Sequence, residues 1–81
     1  MNKEQKLLML DAELERMREN YTNDIQKAKS FNFPTRDIHA VIENNIESLV
    51  NLKRNELDLE EEDIQSQRAK SKEIISELRN I

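Results

Sequence analysis

Glycine, cysteine and tryptophan are absent from this chain, and proline, histidine and tyrosine occur once each. Without glycine there is no phosphate-cradling loop, dinucleotide fingerprint or nucleophile elbow, because each needs backbone conformations or close approaches that a Cβ obstructs. Without cysteine there is no disulfide, and with His39 alone the usual zinc sets and nucleophile–base arrangements are nearly empty. No cofactor and no metal are therefore expected, and catalysis would rest on carboxylates alone. Glu60 to Asp63 is the densest cluster of them, but four consecutive acids point all around a helix instead of into one desolvated cleft. His39 shares a helix face with Glu43 and no third ligand, so it reads as a surface histidine. The chain is expected not to be an enzyme.

Long apolar runs are missing too. Nothing approaches the roughly 20 residues that cross a bilayer, and the start leads only into the short stretch Leu7 to Leu10. A cytoplasmic protein with no membrane partner is expected. The sequon Asn20-Tyr21-Thr22 reads as ordinary helix.

What is present is charge and helix-forming residues: 37% charged, 36% hydrophobic, in 81 residues with a net charge of −4. This is the composition of a solvent-bathed helical or coiled-coil-like protein, one domain at most. Residues 1–30 carry six bases and six acids, 31–55 three of each, and 56–81 four bases against eight acids. The acidic excess lies entirely in the last third, and no basic stripe exists to neutralise phosphates, which argues against nucleic-acid binding.

Leu7, Leu10, Leu14, Met17 and Tyr21 alternate by three and four, the a/d seam of a helix over residues 3–29. Asp24 stands at the next d position while Ile25 and Ala28 take over beside it, so the seam drifts as a straight helix drifts. Residues 30–35 contain the only proline, which disfavours helix before it. Thr35 is placed to cap a second helix and Asp37 to meet its dipole. A link this short makes the flanking helices antiparallel neighbours. Phe31 and Phe33, within it, read first as a plug over the end of the hairpin core and second as an exposed anchor for a partner.

The second helix has a broad apolar face, with Ile38, Ile42, Ile46, Leu49 and Leu52 in the seam and Val41 and Val50 beside it. Continued at 3.6 spacing, the face passes Leu57, Ile64, Gln67 and Ser71, and returns at Ile74, Ile75, Leu78 and Ile81. Two arrangements fit. In one, a continuous helix over 36–80 outruns the first helix and its tail pairs with another chain. In the other, the chain breaks near Asn55 to Asp58 and a third helix folds back, with Asp58 and Glu61 forming a capping box. A sharp reversal usually recruits glycine or asparagine, and Asn55 is the only candidate, so the continuous helix is expected.

Acids at 58–63 followed by Arg68, Lys70 and Lys72 make that segment complementary to an antiparallel copy of itself. The expected partner surface is therefore Phe31, Phe33, Leu57, Ile64, Arg68, Lys70, Lys72, Ile74, Ile75, Leu78 and Ile81. Asn45 either fixes register as a buried polar residue or sits at the edge of the face.

The layout from Leu8 to Leu52, a helix, a turn with Phe33 and Thr35, and a second helix, resembles the small hairpin phosphatases that dephosphorylate sporulation response regulators. Their signature is Ser-Gln-Glu-Leu-Asp on the second helix. The corresponding Glu43-Asn44-Asn45-Ile46-Glu47 shares its apolar and polar pattern but none of its residues, so the resemblance implies a phosphatase only as the alternative function. The expected function is a non-catalytic, self-associating helical adaptor, assembly factor or inhibitor of a larger protein, of a type common among phage and plasmid products. No small-molecule substrate is implied.

Overall fold

A computed structural model describes residues 1–81 and shows an all-α chain built on a helical hairpin. Helix α1 spans Lys3–Ser30, α2 Arg36–Glu56 and α3 Gln65–Arg79, the last preceded by a 3-10 turn over Glu61–Ile64. At 1.5 Å per residue they measure about 42, 32 and 22 Å. The particle is 45 × 18 × 16 Å, one long helix deep.

α1 opens with a reciprocal cap. The Gln5 N–H donates to Asn2 Oδ1 at 2.8 Å, and the Asn2 N–H donates back to Gln5 Oε1 at 3.1 Å. Donors that a helix start leaves orphaned are thereby paired. Thr35 does not do the same for α2. Its backbone is already helical (φ −104°, ψ −6°), whereas a hydroxyl cap needs an extended residue there, and only its carbonyl joins the helix, accepting from His39 N–H at 2.9 Å.

Both reversals use one device. After α1 the Asn32 N–H donates to Lys29 O at 3.0 Å and the Phe33 N–H to Ala28 O at 2.9 Å, with Asn32 left-handed at φ 59°. After α2 the Asp58 N–H donates to Asn55 O at 3.2 Å and the Leu59 N–H to Arg54 O at 2.9 Å, with Asp58 at φ 55°. Each is a Schellman motif whose left-handed residue is Asn or Asp in place of glycine.

The second motif corrects the expectation of a continuous helix over 36–80. The chain breaks after Glu56, and the reversal falls to Asp58, not Asn55. Nor do Asp58 and Glu61 form the next cap: Glu60 is the extended residue before the 3-10 turn, and its N–H donates to Asp63 Oδ2 at 2.9 Å. Asp58 is occupied in ending the previous helix.

α3 then lies along both arms of the hairpin. Its contacts to α1 advance with sequence: Lys3–Asp63 at 2.9 Å, Asp11–Gln67 at 3.2 Å, Glu15–Lys70 at 3.1 Å and Arg18–Glu77 at 3.2 Å. Those to α2 run backwards, with Arg68 on Asn51 and Arg79 on Glu43. The bundle is thus up–down–up.

One core joins the three helices: Leu10, Leu14 and Ile25 from α1, Ile42, Ile46 and Val50 from α2, Leu59 and Ile64 from the connection, and Ile74, Ile75 and Leu78 from α3. Leu7, Met17, Tyr21, Ile38, Leu57 and Ile81 pack at its margin. Leu52, expected in the seam, is exposed, and Leu49 is only half-buried. The core line on α2 steps by four through Ile42, Ile46 and Val50 because α3 pulls the buried face around to its own side. On α3 the buried stripe is Ile64, Gln67, Ser71, Ile74 and Leu78, the 3.6-spaced row read from the sequence. Inside the core Ser71 Oγ donates to Arg68 O at 2.7 Å and Gln67 Nε2 donates to Asp11, while Gln67 Oε1 is buried without a partner.

Because Ile74 is fully buried, Ile74→Ala is expected to cost about 2–5 kcal/mol in denaturant unfolding, whereas Leu8→Ala, on the exposed side of α1, changes little. A tail standing alone in solvent would show no such difference. Asp58→Gly is expected to hold or raise the melting temperature, and Asp58→Val to lose about 1–2 kcal/mol, since a β-branched side chain resists the left-handed region.

Candidate functional site

α3 is shorter than the hairpin it covers. Its last ties are Arg18–Glu77 on α1 and Glu43–Arg79 on α2, so Tyr21–Ser30 and Arg36–Ile42 project beyond it as a two-helix arm. At the tip the Schellman motif turns Phe31 and Phe33 outward. Their rings pack at a tilt, 5.9 Å apart at 32°, and the residues are 61% and 62% exposed. The plug reading is thereby corrected: Ala28 and Ile25 close the end of the core, and the ring pair stands outside it.

One hollow borders the pair, and a second lies further along the arm, the two sharing Asp24. One, of about 250 Å³, is lined by Asp24, Lys27, Ala28 and the two phenylalanines. The other, of about 350 Å³, runs between the arms over Tyr21, Ile38, Val41 and Ile42, with Asp24 and Asp37 on its rim. Its floor is almost wholly apolar. Asn45 sits beyond its inner end, exposed, and donates from Nδ2 to the Tyr21 hydroxyl at 3.2 Å, so it is an edge residue and not a buried one.

The remaining residues expected at a partner surface have other employment. Ile64, Ile74, Ile75 and Leu78 are core, and Leu57 and Ile81 pack against it. Arg68 pairs with Glu61 at 2.9 Å, and Lys70 with Glu15. Lys72 is exposed. The two charge blocks that suggested an antiparallel copy are largely satisfied within the chain, because the third helix brings its bases against α1 and its own first turn.

These pairs leave electrostatic marks. Hydrogen bonding to Lys70 holds the Glu15 carboxyl below its ordinary value, and Arg68 does the same for Glu61. Asp63 is lowered first by the Glu60 backbone N–H and then by Lys3, whose own ammonium is raised by Asp63. All lie at the surface, so they set the position of α3 more than its stability.

No group of three or more Asp, Glu or His side chains is close enough to hold a metal ion. His39 is half-buried beside Arg36, Ala40, Glu43 and Arg79, with Glu43 held by Arg79. In the stretch that resembles the phosphatase signature, Ile46 is core and Asn45 serves Tyr21. No helix is long and apolar enough to cross a membrane. Compared with protein-family models, with curated proteins and with solved structures, the chain matches none.

The sequence reading did not single out Asn32, Asp24 or Asp37 as parts of this site. Asn32 was findable, since asparagine four residues past Ala28, the last apolar position of the first helix, is a helix-end signal even where glycine is absent. The aspartates gain meaning only from the helix opposite.

Glu15, Glu61 and Asp63 are depressed in the fold, so their contribution is complete above their ordinary values of 4.5, 4.5 and 3.8 and is lost as pH falls below them. The melting temperature is expected to fall on acidification through that window. Lys70→Gln should remove part of the fall, because Glu15 then loses the largest of the interactions that lower it, and salt should flatten the profile.

Proposed function

We propose that the chain is a small, non-catalytic, cytoplasmic interaction module, an adaptor, assembly factor or inhibitor that docks onto a larger protein through the aromatic end of its hairpin. The observation that carries this reading is the ring pair. Two of the chain's three aromatic side chains stand in solvent at a tip, packed against each other at a tilt and bordering a hollow over Asp24, Lys27 and Ala28. Full burial of a phenylalanine is favourable by roughly 1.5–3 kcal/mol, and aromatic anchors entering pockets dominate protein interfaces. Exposing both on a rigid two-helix arm leaves that free energy to a partner and spends little on ordering the loop.

The test is a paired capture from the source cell with the natural chain and with Phe31→Ser/Phe33→Ser. Both residues lie outside the core, so the double variant is expected to melt within a few degrees of the natural chain while losing its specific partner. If the same protein is retained in the same amount, the tip is not the docking site. Phosphate release from an acyl-phosphorylated receiver domain would overturn the non-catalytic reading.

A further inference from the structure

The two reversals of the chain share one device but not one freedom. In the first, Pro34 bars a helix from running through, because its ring clashes with the carbonyl four residues back and it has no N–H to give. In the second, Leu57-Asp58-Leu59-Glu60 contains neither proline nor glycine, and leucine and glutamate are good helix formers. Helical angles are abandoned there at Asp58 (φ 55°) and Glu60 (ψ 158°), the first of them in the left-handed region that a side chain disfavours. The apolar pattern does not register this break. Wound on one continuous helix, every buried residue from Ile42 to Leu78 except Leu59 falls within a sector of about 120°. Leu57 lies in the same sector, so a straight link would give it the seam place that Leu59 holds in the folded-back chain.

We propose that two copies exchange their third helices: the link straightens, α2 and α3 join into one helix, and the α3 of each chain lies over the hairpin of the other. The groove it fills is the groove it fills at home, so the occupant matches residue for residue. The register carries over as well. Asn51–Arg68 and Glu43–Arg79 are each placed symmetrically about residue 60, to within one position, and a two-fold axis there between antiparallel copies sets the same residues opposite each other across chains. Lys3–Asp63, Glu15–Lys70 and Arg18–Glu77 re-form between copies in the same way. What changes is local. Within one chain the hydrogen bonds from Asp58 and Leu59 to the end of α2 hold the turn; across two chains the ladder of a straight helix replaces them and releases the left-handed residue. Against this, Asp58, Glu60, Glu61, Glu62 and Asp63 of both copies gather at the axis, where the bases acting on them are Lys3, Arg54 and Arg68. Their repulsion keeps the chain folded back in dilute, low-salt solution, and salt relieves it. Exchange of an identical element is a low-cost route to a dimer. It does not involve the phenylalanine tips, and an exchanged dimer carries one at each end, two docking sites on one particle.

Refolding the full-length chain from denaturant at low and at high concentration, followed by light scattering, tests this. A dimer is expected from the concentrated sample, in a fraction that rises with salt. Asp58→Ala and Asp58→Gly remove the same charge but favour opposite states, the straight helix and the left-handed turn. Each dimer has two links, so the dimerisation constants of these variants are expected to differ by at least about tenfold, alanine the stronger. Because the natural chain has no cysteine, Glu43→Cys/Arg79→Cys reports which copy supplies α3. A thiol-reactive linker is expected to join the two positions within one chain in the monomer and between chains in the isolated dimer, which then stays covalent after denaturation. Monomer alone from every refolding, that of Asp58→Ala included, overturns the proposal, and so do equal constants for the two Asp58 variants. An isolated dimer whose links all lie within one chain overturns it too, since its interface would then be another surface.

Discussion

The left-handed turn at Asp58 is what the remainder of the molecule hangs on. Two helices joined by one short link bury only the line along which they touch, and a hairpin of this length would leave Leu10, Leu14 and Val50 at a wet edge. By ending α2 with paired hydrogen bonds to Arg54 and Asn55, the turn inserts Leu59 and Ile64 and returns α3 over that edge. Burial of apolar area scales with the third side covered, which is how so short a chain holds a core without disulfide or metal. Glycine would take this conformation with less strain. Asp58 takes it because a short polar side chain tolerates the left-handed region and the hydrogen bonds on both sides of it leave no alternative path.

Charge then decides which way the third helix lies. Apolar stripes are nearly indifferent to a slide of one turn, but the pairs Lys3–Asp63, Glu15–Lys70 and Arg18–Glu77 coincide in only one register. Each joins an exposed side chain to a half-buried one and stays open to solvent, so it contributes little alone. Their value is selective: a shifted α3 would place Asp63 or Glu77 without its base. Gln67, buried and bonded to Asp11, adds a polar condition from inside. A core of aliphatic side chains is held in a single arrangement by a ring of weak polar preferences.

The same logic leaves two surfaces uncommitted, and they differ in kind. The tip is aromatic, shaped by a reversal, and set where α3 runs out. The outer side of α2 exposes Val41 and Leu52 between a hollow over Ile38 and the charged ends at Asp37 and Glu56.

Much of this was legible in the residues alone. The periodicity of Leu7, Leu10, Leu14, Met17 and Tyr21, and of Ile42, Ile46, Ile64, Ile74 and Leu78, determines helices and their inward faces, since a 3.6-residue repeat has one apolar side whatever it packs on. It even carried the correct phase across the break into α3. What the sequence could not decide was whether that apolar side faces its own chain or another, because both satisfy the same pattern. The left-handed state of Asp58, a matter of one dihedral angle, settled it. With that turn made, Ile74 and Leu78 passed from candidate interface to core, Leu52 passed from seam to surface, and Phe31 and Phe33 were left beyond the reach of a third helix only about 22 Å long. Secondary structure follows from local spacing, whereas exposure is a difference between the lengths of packed elements, and that quantity exists only once they are packed.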